Sequence, residues 1–205
     1  MKKLIFSFAL CLLLSSAATA QVTFGLKAGG MLSNTALVEP DSLSGSGDAK
    51  ISYLLGGFMN VPINDKFSIQ PELLYANKGG KDFYQHYINL PVMLQYNLTD
   101  KFKLEAGPEI SYLLASYSQW YDLNGNRSNR YRQHFTKDFD ISINVGVSYA
   151  LLDRLNIGLR YNMGIVDTYA PEKARFGFGS TIERPEYNIK NRTLQLSVGW
   201  KLGKK

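Results

Sequence analysis

The chain is predicted to be all-β: an eight-stranded antiparallel up-and-down transmembrane β-barrel with short periplasmic turns and long extracellular loops. Three observations predict it. The turns Asn64-Asp65-Lys66, Thr99-Asp100-Lys101 and Leu152-Asp153-Arg154 are nearly alike, and each separates two segments of alternating apolar and polar residues. The connections at the opposite ends are long, spanning about 34–50, 79–85, 118–136 and 167–190, which is the asymmetry of outer-membrane barrels. The apolar rows also carry aromatic residues at two heights, as expected of two membrane interfaces.

Residues 1–20 read as a signal peptide. Lys2 and Lys3 supply the charged start, Leu4 to Leu14 the apolar run, and Ala18-Thr19-Ala20 a small-residue cleavage site before Gln21. Cys11 lies inside the apolar run with three leucines after it, a poor setting for a lipid anchor. Its removal leaves the mature part, 21–205, without cysteine, so disulfide and thiol chemistry are excluded there. Loss of Lys2 and Lys3 lowers the net charge from +6 to +4. That scattered excess, on an exported chain, argues against nucleic acid as a partner. After residue 20 nothing is apolar for long enough to cross a bilayer as a helix, so membrane entry requires a closed barrel.

Eight strands follow, at about 22–33, 51–62, 67–78, 86–97, 102–117, 137–151, 155–166 and 190–202. The sixth alternates most clearly: Phe139, Ile141, Ile143, Val145, Val147 and Tyr149 share one face, and Asp138, Asp140, Ser142, Asn144, Gly146 and Ser148 the other. A soluble periplasmic barrel would show the same period with its faces reversed. The polar face decides against it, because Glu72, Glu105, Glu109, Arg160 and Lys201 alternate with glycines, which suits a crowded lumen. Phe67, Tyr96, Phe102, Tyr149 and Trp200 lie near the short turns, and Tyr53, Tyr75, Tyr112 and Phe139 near the long loops. Ten residues separate Phe102 from Tyr112; at roughly 3.4 Å per residue and a tilt near 40° they stand about 26 Å apart, the height of an apolar membrane band. Pro71, Pro91 and Pro108 fall inside strands and are expected to mark bulges or local kinks. Eight strands close around side chains, so a wide aqueous channel is not expected.

Several motifs resemble the PorT-like outer-membrane β-barrel family of Bacteroidota: Gly25-Leu26-Lys27-Ala28-Gly29, Gln70-Pro71-Glu72-Leu73-Leu74-Tyr75 with Lys78-Gly79-Gly80, Tyr87-Ile88-Asn89-Leu90-Pro91-Val92, and Phe102 through Gly107-Pro108. The resemblance covers essentially the whole mature chain and implies an outer-membrane barrel. It implies no activity, because most members have none assigned. The chain departs from barrels that end on an aromatic assembly signal, since Lys201-Leu202-Gly203-Lys204-Lys205 follows Trp200.

Two groups of residues are candidate sites. Lys27, Glu72, Glu105, Glu109 and Arg160 are placed in the lumen, with Glu72, Glu105 and Arg160 at similar heights. An unpaired charge there is costly, so an ion-pair network is expected, acting as a plug or as the gate of a narrow channel. The second group is the loop 118–136, where Trp120, Tyr121, Arg127, Arg130, Tyr131 and Arg132 have the composition of a recognition surface. Its arginines also suit lipopolysaccharide phosphates, and envelope proteins are the other expected partners. Asp41-Ser42-Leu43 resembles a short O-glycosylation acceptor pattern. Catalysis is not expected. His86 and His134 are the only histidines, and a rim hydrolase or acyltransferase built from His134, Asp138 and Ser118 or Ser128 lacks any nucleophile–base signature. No metal spacing or nucleotide motif appears, so no cofactor is implied. The function expected is structural, surface-binding or envelope-assembling, in the outer membrane of a Gram-negative bacterium.

Overall fold

In the computed structural model eight strands close into one barrel. The structure describes residues 22–37, 49–80, 83–118, 131–132, 137–166, 174–175, 181–182 and 189–203. The strands are β1 (Thr23–Leu37), β2 (Lys50–Pro62), β3 (Phe67–Lys78), β4 (Phe83–Asn97), β5 (Phe102–Ser118), β6 (Phe139–Ala150), β7 (Leu155–Gly164) and β8 (Ile189–Leu202). Each pairs antiparallel with its neighbours in sequence, and β1 closes on β8 from Phe24↔Leu202 to Leu37↔Ile189. Closure leaves no free sheet edge, which is what a lipid environment demands.

The short turns fall at the expected places. Asn64 Oδ1 accepts from the backbone N–H of Lys66 and Phe67, at 2.9 and 2.8 Å. Thr99 Oγ1 does the same for Lys101 and Phe102, at 3.3 and 3.0 Å. Asn and Thr at this position replace the ladder bonds that end at a turn. The long-loop end departs from expectation in its bounds. β1 continues to Leu37 and β4 begins at Phe83, so strand pairing runs further into those connections. Tyr131–Arg132 adds a two-residue piece against Tyr117 and Ser118 of β5.

The prolines do not mark bulges. Between β3 and β4 the ladder passes from Pro71↔Val92 to Leu74↔Asn89 with its register unchanged, and between β4 and β5 from Pro91↔Glu109 to Leu94↔Ala106 likewise. The register shift lies instead at His86/Tyr87 opposite Leu113 and Ala115. Each proline therefore costs local hydrogen bonds without inserting a residue.

The two faces separate as the period of two requires. Leu26, Tyr53, Leu55, Leu73, Ile141, Val145, Leu196, Val198 and Trp200 are exposed on the outside. Lys27, Glu72, Glu105, Glu109, Asn144, Arg160, Asn162 and Gln195 are buried within. Outward aromatics pair across strands at both heights: Phe67 with Tyr96 (centroids 5.1 Å apart) at the short-turn end, Tyr53 with Tyr75 (6.2 Å) and Tyr112 with Phe139 (5.2 Å) at the other. A small apolar group also faces inward, with Met31, Leu54, Leu74 and Ala76 lining the β1–β3 side of the lumen.

Candidate functional site

The site with the most concentrated chemistry is the lumen. Its register begins with glycine: Arg160 of β7 stands opposite Gly146 of β6, and Gly146 stands opposite Glu105 of β5. A Cβ on Gly146 would lie 2.6 Å from the Leu159 carbonyl oxygen and 3.2 Å from the Arg160 Cβ. The missing side chain gives Arg160 its path over β6. Arg160 Nε and Nη2 both donate to Glu105 Oε1, at 3.0 and 2.9 Å.

The same guanidinium spans the barrel. Nη1 and Nη2 donate to Glu72 Oε2 and Oε1 on β3, both at 3.0 Å, in a two-pronged fork that aligns a planar cation with a planar carboxylate. Glu72 also accepts from Lys27 of β1, at 2.9 and 3.1 Å, and from the Gln70 amide at 2.8 Å. The second oxygen of Glu105 accepts from Gln95 Nε2 at 3.2 Å. Two cations and two carboxylates thus form a neutral layer tying β1, β3, β5 and β7. All four residues are buried, and such groups are tolerated only when paired and hydrogen-bonded.

Glu109 does not join this layer. It sits nearer the long loops and pairs with Lys78 of β3 at 2.9 Å, while Asn144 Nδ2 donates to its other oxygen at 3.1 Å. Lys78 also donates to Ser111 Oγ at 3.3 Å. Asn162 Nδ2 then bonds Asn144 Oδ1 at 3.0 Å and Ser142 Oγ at 2.7 Å, continuing the chain across β6 and β7. Higher still, Asn191 Nδ2 reaches Asp140 Oδ2 at 2.9 Å.

Below the Arg160 layer the lumen narrows around Phe58, whose ring fills the space left by Gly25 and Gly199. A cavity of about 30 Å³ remains there, bordered by Lys27, Phe58, Gln95, Lys103, Glu105 and Ser197. It has room for about two waters and none for a larger solute.

The sequence reading named four of the residues that meet at Arg160 and missed the roles of Lys78, Gly146 and Phe58. The alternation does place Lys78 and Phe58 on the inner face, and that signal was available. In the other candidate group, Trp120, Tyr121, Arg127 and Arg130 lie outside the described residues, and Tyr131 and Arg132 are described as backbone alone. His134, Ser128 and the Asp41-Ser42-Leu43 pattern also lie outside them. His86 points outward beside two rings: its Nδ1 is 2.5 Å from the Tyr75 hydroxyl, and Tyr117 meets it edge-on. Among the described residues no three metal-ligating side chains gather.

Residues 15–170 match the family model described as outer membrane protein beta-barrel domain. Among solved structures, the Neisserial surface protein A aligns over 87% of this chain and 97% of its own, with 16% identity and a TM-score of 0.53. The attachment invasion locus protein Ail of Yersinia pestis, crystallised with the heparin analogue sucrose octasulfate, aligns over 88% and 99% with 9% identity and a TM-score of 0.48. No curated protein matches the chain.

Proposed function

Since the chain belongs to the outer membrane protein beta-barrel domain family, we propose that it is a surface-binding scaffold: a plugged barrel that presents long loops outside the cell and performs no catalysis. The single observation carrying this reading is the Arg160 fork, which occupies the lumen between β3 and β7. A barrel whose axis is crossed by a fully paired guanidinium has its working surface at the rim. The loop 118–136 is the binding element, with Trp120, Tyr121 and Tyr131 as anchors and Arg127, Arg130 and Arg132 for anionic groups such as lipopolysaccharide phosphates or envelope proteins. Export through cleavage of residues 1–20 and both termini in the periplasm belong to the same reading. The Gln70–Tyr75 and Tyr87–Val92 motifs support a place within the PorT-like branch of Bacteroidota.

The test uses purified protein in phospholipid vesicles. Lipopolysaccharide binding is measured for the parent and for a variant with 119–136 replaced by a Gly-Ser linker. The expected result is a loss of affinity of about tenfold or more in the variant, roughly 1.4 kcal/mol. Equal affinities would remove the loop from the binding role.

A second reading, a narrow gated channel, draws on the same layer, because the Arg160 guanidinium is the group that crosses the axis between β3 and β7. Single-channel recording separates the two: a scaffold is silent in both the parent and Arg160→Ala, whereas a gate conducts when Arg160 is removed.

A further inference from the structure

An open groove of about 720 Å³ lies at the short-turn end, bordered by Asp100 and Lys101, by residues 150–154 and by the end of β8 at Trp200 and Lys201. Its volume lies within the roughly 300–1,000 Å³ of small-molecule sites. Its walls are tied down, since the Ala150 N–H donates to the Lys101 carbonyl at 2.7 Å and the Lys201 N–H to the Arg154 carbonyl at 2.9 Å. Two cationic residues of the turns border it, Lys101 and Arg154, together with Asp100 and Asp153; Lys201 also borders it, although its place in the strand alternation is on the inner face with Gly199. Its apolar part is the Trp200 indole with Leu151 and Leu152, exposed by 45%, 49% and 60%. Exposed leucines beside charges suit the boundary where water gives way to hydrocarbon, and Trp200 sits at the short-turn height with the aromatic residues expected at that boundary.

Both signs of charge above an apolar floor complement one kind of molecule: an amphiphile whose head carries a phosphate diester and an ammonium. We infer that this groove is a binding site for a zwitterionic phospholipid of the periplasmic leaflet, of the phosphatidylethanolamine type. The phosphate is held by Lys101 and Arg154, the ammonium by Asp100 and Asp153, and the glycerol and first methylenes lie on Trp200 and Leu152. A primary ammonium donates three hydrogen bonds to such carboxylates, whereas a choline head has none to give. The inference rests on the membrane orientation proposed above and is independent of what the loops bind.

Trp200 is the reporter. The chain has two tryptophans, so Trp120→Phe leaves Trp200 alone. The protein is placed in phosphatidylcholine nanodiscs containing a minor fraction of lipid brominated on its acyl chains, with a phosphatidylethanolamine, phosphatidylcholine or phosphatidylglycerol head. The expected result is quenching by brominated phosphatidylethanolamine about twice that by brominated phosphatidylcholine, corresponding to a roughly two-fold enrichment at the site. That excess is expected to vanish in Lys101→Ala/Arg154→Ala, whose folding is checked by its heat-dependent migration in gels. Equal quenching by phosphatidylethanolamine and phosphatidylcholine overturns the proposal. An equal excess with phosphatidylglycerol overturns the role given to Asp100 and Asp153. No quenching by any brominated lipid would remove Trp200 from contact with acyl chains altogether, a different failure from loss of headgroup selectivity.

Discussion

The two polar levels of the lumen solve the burial of charge in different ways. In the Arg160 layer every charged side-chain nitrogen and oxygen of Lys27, Glu72, Glu105 and Arg160 has a protein partner, and the layer is neutral. Towards the long loops the ion pair of Lys78 and Glu109 is embedded in amides and hydroxyls. Among the described residues, Gln85, Asn89, Asp140, Asn162, Asn191 and Thr193 there each keep at least one buried polar atom without a described protein partner. The comparison teaches that the plug is one fully paired ionic layer, held by an arginine that glycine makes room for, beneath a level where a single ion pair sits among amides and hydroxyls.

The most severe way to break this contrast is Arg160→Met. It leaves Glu72 and Glu105 buried with only Lys27 and two glutamine amides, and a loss of about 3–5 kcal/mol is expected from stranding buried charge. Urea-induced unfolding in lipid vesicles measures it. The triple variant Arg160→Met/Glu72→Gln/Glu105→Gln should recover much of that loss, and a failure to recover would mean that packing rather than charge dominates. Next in size is Gly146→Leu, expected to cost about 1–3 kcal/mol through overpacking against the Arg160 stem. Glu109→Gln should cost less than Arg160→Met, because it strands one buried charge rather than two and Ser111 and the new amide oxygen remain as acceptors for Lys78. If Glu109→Gln proves the more damaging of the two, the distinction between the four-membered layer and the single ion pair fails. The smallest effect is expected outside the lumen. Tyr112→Ala removes one cross-strand aromatic pair with Phe139, worth about 1 kcal/mol or less in the same unfolding experiment.

Much of the architecture was legible because it depends on local alternation. β3 was placed at its observed bounds, the three short turns were found from their spelling, and the outward apolar rows followed from the period of two. The bounds at the long-loop end were not, since Asn34 to Leu37 and Phe83 to Gln85 pair only because partner strands happen to extend beside them. The lumen was legible in membership and obscure in partnership. Which carboxylate meets Arg160 depends on the stagger between strands, and the alternation within one strand carries no information about stagger. That is why Glu109, close by in simple counting, belongs with Lys78 instead. The role of Gly146 was hidden for the same reason: it matters only because β6 lies in register between Arg160 and Glu105. The prolines misled because a missing N–H was equated with an inserted residue, and the ladder tolerates the first without the second.

With eight staves in a ring, β3 and β7 face each other across the full diameter, and the guanidinium fork joins them directly. It works as an internal strut of fixed length. A cylinder braced in this way resists flattening into an ellipse, so the connections leaving opposite sides of the mouth start from points a constant distance apart. Any large partner that touches both sides at once would meet a frame already set to its span, and would be spared the entropy of setting it.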